Sequence, residues 1–178
     1  GGAGFSASGF ANQLNNIYKQ SVVNWNVTLD DIYRINQEDW DKDGNGKMAD
    51  GESTLLSNYS KEQNKLRRKY KQARDIDNQS YYVFLLNGIE SQTGLEGYMP
   101  LKAQYGFIYS GGMNARTIAH ELAHGAFRLW HTFSSESDYQ MPKGSSDNLM
   151  DYPDGSKKTT TRLHKYQWDY IHNPEGGL

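Results

Sequence analysis

Apolar positions along this chain follow two periods, and the period decides the element. Within residues 60–74, Leu66, Tyr70 and Ala73 recur three and four positions apart in an otherwise charged stretch, which is the spacing of one helix face. Ser60 is a favoured N-cap residue at its start. Tyr81-Tyr82-Val83-Phe84-Leu85-Leu86 is instead a continuous apolar run and predicts a buried strand. Residues 22–29 alternate loosely and predict a second strand, and residues 102–109, closed by Gly111-Gly112, predict a third. Residues 10–18 are compatible with a short helix or an irregular segment, and residues 30–38, opened by an acid, predict a short helix. Asn114 is placed to cap a helix that continues through residue 124, and residues 163–171 predict a closing helix. Residues 133–152 have no period, and long irregular segments in compact domains usually carry function. Strands first, then a helix, loops and a last helix, predict an α+β fold.

The 178 residues suffice for one domain with a sizeable core. We expect a Gly/Ser-rich flexible start at 1–9, of the kind that links a domain to a larger parent polypeptide, and a single domain at 10–178. Hydrophobic content is 36% and mean hydropathy −0.86, with thirteen tyrosines and four tryptophans to supply bulk to the core. The net charge of −2 gives no sign of nucleic acid as a partner. The basic run Lys65-Leu66-Arg67-Arg68-Lys69-Tyr70-Lys71 reads as the solvated face of a helix. No apolar run approaches the roughly 18–20 residues of a membrane span. The absence of cysteine excludes disulfides and thiolate catalysis.

The chemistry is concentrated in His120-Glu121-Leu122-Ala123-His124. On a helix His120 and His124 share a face one turn apart, so both imidazoles can reach one zinc ion, with Glu121 beside them as general base. A catalytic zinc needs a third protein ligand and one open position. His131 is the leading candidate; Glu136, Asp138, Asp147, Asp151, His164 and His172 are the alternatives. Continued as a helix, the chain would carry His131 roughly 10 Å beyond His124 at about 1.5 Å per residue. His131 can therefore ligate only if the helix breaks after Gly125.

With Asn148-Leu149-Met150-Asp151-Tyr152 downstream, residues 114–152 resemble the metzincin zinc peptidases. Their signature is His-Glu-x-x-His-x-x-Gly-x-x-His followed by a methionine-bearing turn. The chain departs from it twice: His131 lies seven residues after His124 rather than six, and Phe127 stands at the glycine position. The resemblance implies a zincin-like α+β fold: a mixed sheet, an active-site helix carrying the motif, an irregular C-terminal part with the Met-turn, and a closing helix. It also implies that Met150 packs beneath the metal and that Tyr152 stabilises an oxyanion. More loosely, residues 116–133 with Lys165-Tyr166-Gln167-Trp168-Asp169 look like metallopeptidase domains of bacterial polymorphic toxins and secreted effectors.

A second pattern is independent of the first. Residues 41–52 match the twelve-residue EF-hand loop, with Asp41, Asp43 and Asn45 at positions 1, 3 and 5 and Gly46 at the turn. Lys47 would offer its carbonyl at position 7 and Glu52 a bidentate carboxylate at position 12. A single such loop predicts a structural calcium clamp. The expected function is a zinc-dependent endopeptidase with Zn²⁺ and Ca²⁺ as cofactors, acting on protein or peptide and secreted from, or delivered by, a bacterium. A calcium-dependent binding module and a zinc amidase acting on cell-wall peptides are the competing readings. The strand at 102–109 is expected to run beside the motif helix as the sheet edge that pairs with substrate.

Overall fold

The computed structural model describes residues 6–50, 59–152 and 160–173. Their fold is α+β, with four α-helices and a small mixed sheet: α1 (Ala7–Tyr18), α2 (Lys61–Ala73), β1 (Tyr82–Leu85), β2 (Gly97–Tyr98), β3 (Tyr105–Ile108), α3 (Ala115–Phe127) and α4 (Lys165–His172). Two compact units divide the chain, residues 31–126 and residues 1–30 with 127–178. Among the described residues no helix is long and apolar enough to cross a membrane.

The unit of residues 31–126 holds the sheet, in the order β1-β3-β2. β1 runs parallel to β3 with Tyr82 opposite Tyr105, and β2 runs antiparallel with Gly97 opposite Ile108. All four residues of β3 are buried, whereas those of β1 are half-buried. The strand expected at 102–109 forms only over Tyr105–Ile108, as β3, and is the central strand with both edges hydrogen-bonded. It cannot be the pairing edge expected from sequence, and β2 takes the edge position instead. Trp40, Met48, Leu66, Leu86, Tyr98, Phe107 and Tyr109 form the core. Ser60 and Gln63 close a reciprocal capping box at the start of α2, worth about 1 kcal/mol.

The helix expected at 30–38 does not form; only Gln37–Asp39 makes a 3-10 turn. The reason is a competing period: Tyr33 and Ile35, two residues apart, both pack against the core, which an extended chain permits and a helix does not.

In the unit of residues 1–30 and 127–178, α1 is capped by Ser6 and buries Leu14 and Tyr18. The strand expected at 22–29 is absent. Asn15 supplies the hydrogen bonds that a neighbouring strand would have made: its amide donates to the Trp25 carbonyl at 3.0 Å and accepts from the Trp25 N–H at 2.6 Å. The Trp25 ring packs edge-on against Tyr18 and Phe127. Gln20 ties the end of α1 to the far segment by donating to the Thr161 carbonyl and accepting from the Leu163 N–H.

Candidate metal centre

α3 begins where the Asn114 side chain accepts from the Thr117 N–H at 2.9 Å, an N-cap contact. Ala115, Ile118, Ala119, Leu122 and Ala123 are buried along it. Those apolar positions fix the rotation of the helix, and with it the face that carries the histidines. His120 is buried, and its Nε2 lies 3.2 Å from Nε2 of His124. Two ligands of a tetrahedral zinc at about 2.0–2.1 Å are held about 3.3 Å apart. The pair therefore has the spacing of two corners of such a site. His131 offers the third nitrogen: the ligand atoms of His120, His124 and His131 all lie within 4.8 Å of one another.

The helix break that this grouping requires is present. α3 ends at Phe127, and Arg128 adopts φ +60°, the left-handed conformation that terminates many helices. After it, the His131 ring stacks on Phe133 (4.8 Å between centroids, 7° between planes) and meets Tyr152 edge-on at 5.0 Å.

Glu121 is buried, and burial pushes its carboxyl up to about 8 despite the opposing pull of the Met99 N–H and the Arg116 charge. The β2 backbone packs directly on it: a Cβ on Gly97 would stand 2.7 Å from Glu121 Oε1. Glycine is needed for that approach. Gly125 serves the same purpose on the helix, since a Cβ there would meet the Met99 side chain and the Ala103 carbonyl.

Met150 and Asn148 are fully buried. Asn148 Oδ1 accepts from the Met150 N–H at 2.8 Å, and the Asn148 and Gln167 amides exchange hydrogen bonds at 2.8 and 3.1 Å. The Thr132 N–H donates to the Met150 carbonyl at 3.1 Å, which fixes the 148–150 turn beside the residue that follows His131. Asp151 accepts from the N–H groups of Gly144, Ser146 and Tyr152 and from the Ser146 hydroxyl. Burial opposes its ionisation, but these four donors prevail and hold the carboxyl below its usual range.

In the acidic loop, Asp41 accepts from the Gly44 and Gly46 N–H groups and the Gln37 amide, and the Gln37 contact leads in lowering its pKa. Asn45 Oδ1 accepts from the Lys47 N–H at 2.6 Å. Asp41, Asp43 and Glu62 each present an oxygen within 4.8 Å of the others. The expected position-12 ligand, Glu52, lies outside the described residues. Glu62 is the residue that the motif did not predict. Its carboxylate accepts from the Lys42 and Ala49 N–H groups at 2.6 and 2.7 Å and so joins α2 to the loop.

No protein-family model, curated protein or solved structure matches the chain.

Proposed function

We propose that this chain is a zinc-dependent endopeptidase with a zincin-like fold, similar in kind to the metzincins and to bacterial secreted or effector metallopeptidases. The observation that carries the reading is the grouping of three imidazoles, with His120 and His124 at tetrahedral ligand spacing and a buried carboxylate on the same helix. The donor set fits zinc, because neutral imidazole nitrogens are its usual ligands and Glu121 remains available as a base. His120, His124 and His131 would hold the ion. Zinc supplies Lewis acidity there, acidifying water and polarising a carbonyl.

The remaining work falls to the chain's own groups. Glu121 takes the proton of the attacking water and returns it to the leaving amine. Its burial suits that exchange, since desolvation favours the neutral carboxyl and so makes the carboxylate a stronger base. Tyr152, packed against His131, donates its phenol O–H to the oxyanion that develops on the scissile carbonyl. β2, at the sheet edge beside Glu121, adds extended substrate through main-chain hydrogen bonds. Met150 packs under the site without ligating.

Asp41, Asp43 and Glu62 form a separate oxygen cluster suited to a hard cation, and we assign it to a structural calcium. Elemental analysis tests both assignments. One zinc per chain that is lost in His120→Ala, with Glu121→Ala keeping zinc but losing proteolysis of an unfolded protein substrate, is the expected result. A chain that takes up no zinc from excess metal refutes the peptidase.

A further inference from the structure

We infer that Lys143 is a specificity-determining residue, selecting substrates with an Asp or Glu side chain flanking the scissile bond; the inference rests on the peptidase reading. Lys143 Nζ lies 4.6 Å from the centroid of the Tyr152 ring and 5.4 Å from that of Phe133. Those two rings are the ones that pack on His131, at 5.0 and 4.8 Å. The ammonium therefore stands over the wall next to one of the three clustered histidines.

Three features make it a recognition group rather than an ordinary surface lysine. It is exposed, so a ligand can reach it. Among the described residues no carboxylate lies within ion-pairing distance of it. Three acids of the same unit are engaged elsewhere: Asp147 pairs with Arg162, Asp169 with Lys165, and Asp151 accepts from four donors.

The backbone beneath Lys143 is also fixed. Ser145 N–H donates to the Pro142 carbonyl, closing a turn around residue 143, and Gly144, at φ +76°, donates to Asp151. Asp151 in turn accepts from the N–H of Tyr152. One carboxylate thus anchors both the turn that carries the cation and the tyrosine beneath it. A cation carried on a fixed turn and resting over two rings loses little freedom when it meets a carboxylate. A substrate lysine or arginine in the same place meets like charge and is rejected.

The test is cleavage of a synthetic peptide library in which each position around the cut carries Asp, Asn or Lys, using the zinc-loaded chain. Wild type is expected to cut the best Asp peptide about five-fold faster, in kcat/KM, than its Asn isostere, the range of a partly exposed ion pair. Lys143→Met abolishes that ratio while still cutting the Asn peptide, and Lys143→Glu turns the preference toward Lys. Adding salt narrows the wild-type ratio. A Lys143→Met variant that loses activity equally on Asp and Asn peptides would make Lys143 a mere support for the Tyr152 ring and overturn the inference. Equal wild-type cutting of Asp and Asn peptides overturns it as well, while leaving the peptidase standing. A zinc-loaded wild type that cuts no peptide refutes both.

Discussion

If the chain is the proposed zinc peptidase, Gly97→Ala should lower its turnover without releasing zinc. The added Cβ would stand 2.7 Å from Glu121 Oε1, 2.8 Å from its Cγ and 3.0 Å from its Cδ. Ordinary contact begins near 3.4 Å, so the carboxylate must retreat by about 0.7 Å. Glu121 is buried, and a packed surround converts such a shift into overpacking, which typically costs about 1–3 kcal/mol of stability. A displacement approaching 1 Å at a catalytic group lowers turnover by about a hundred-fold. The three atoms nearest the added Cβ all belong to Glu121, so on the peptidase reading zinc content should stay at one per chain. The matched control is Gly111→Ala, whose Cβ meets nothing within 4 Å and which should leave both rate and stability unchanged. The assay is kcat/KM on a quenched fluorescent peptide, with zinc measured on the same sample. Full activity in Gly97→Ala at native zinc content would refute the placement of Glu121 as the base beneath β2. Loss of zinc with loss of activity would show that the glycine supports the metal rather than the base.

Asp151→Asn replaces an acceptor of four hydrogen bonds by an amide that must turn an N–H toward donors, and should cost about 2–4 kcal/mol in urea denaturation at neutral pH. Because the folded carboxyl is held below its ordinary value, its contribution is complete above the unfolded range near pH 4 and is lost as pH falls through the folded value. The gap between wild type and variant should therefore close in acid; a gap that widens below pH 4 contradicts the assignment. Ser60→Ala removes the cap of α2 and should lower stability by about 1 kcal/mol, read as a fall in Tm. Arg128→Gly keeps the left-handed turn and should retain zinc, whereas the β-branched Arg128→Val should weaken zinc binding in a chelator competition. Glu62→Gln should weaken calcium binding measured by calorimetry, and unchanged affinity would return the clamp to Glu52.

Elements whose signals are local were legible in the sequence. α2 has a stripe and a capping serine, β1 a continuous apolar run, and α3 a capping asparagine, and each forms close to its predicted bounds. Elements decided by distant partners were not. Residues 22–29 alternate like a strand, yet the hydrogen bonds of Trp25 go to Asn15 on α1, and Val22 is left 83% exposed at φ +57°. Residues 30–38 carry a helix-start signal, but Tyr33 and Ile35 are drawn to the core in alternation. β2 is two residues long, too short to have a period, and it nevertheless forms the edge beside Glu121. In the site, the paired histidines were evident from their spacing. Glu62 escaped notice because it lies ten residues beyond the position that the loop motif specifies, and only the fold of α2 returns it to Asp41 and Asp43.

The third histidine shows most clearly how a local rule can be met by an unexpected residue. An unbroken helix would carry His131 about 10 Å past His124, yet its ligand nitrogen is within 4.8 Å of the others. A left-handed residue is the economical way to make that reversal, and glycine adopts it without a Cβ penalty. Here Phe127 fills the position where the metzincin pattern has glycine, and the left-handed turn falls one residue later, at Arg128. The spacer from His124 to His131 is also one residue longer than the pattern. The two departures match in size: the left-handed residue falls one position after the pattern's glycine, and His131 falls one position after the pattern's third histidine. A non-glycine residue in this conformation costs about 1–2 kcal/mol. Phe127 offsets part of that cost by packing on Tyr18 and Trp25 at 5.7 and 5.8 Å, aromatic contacts worth about 0.5–1.5 kcal/mol each. A glycine at 127 would forfeit both ring contacts.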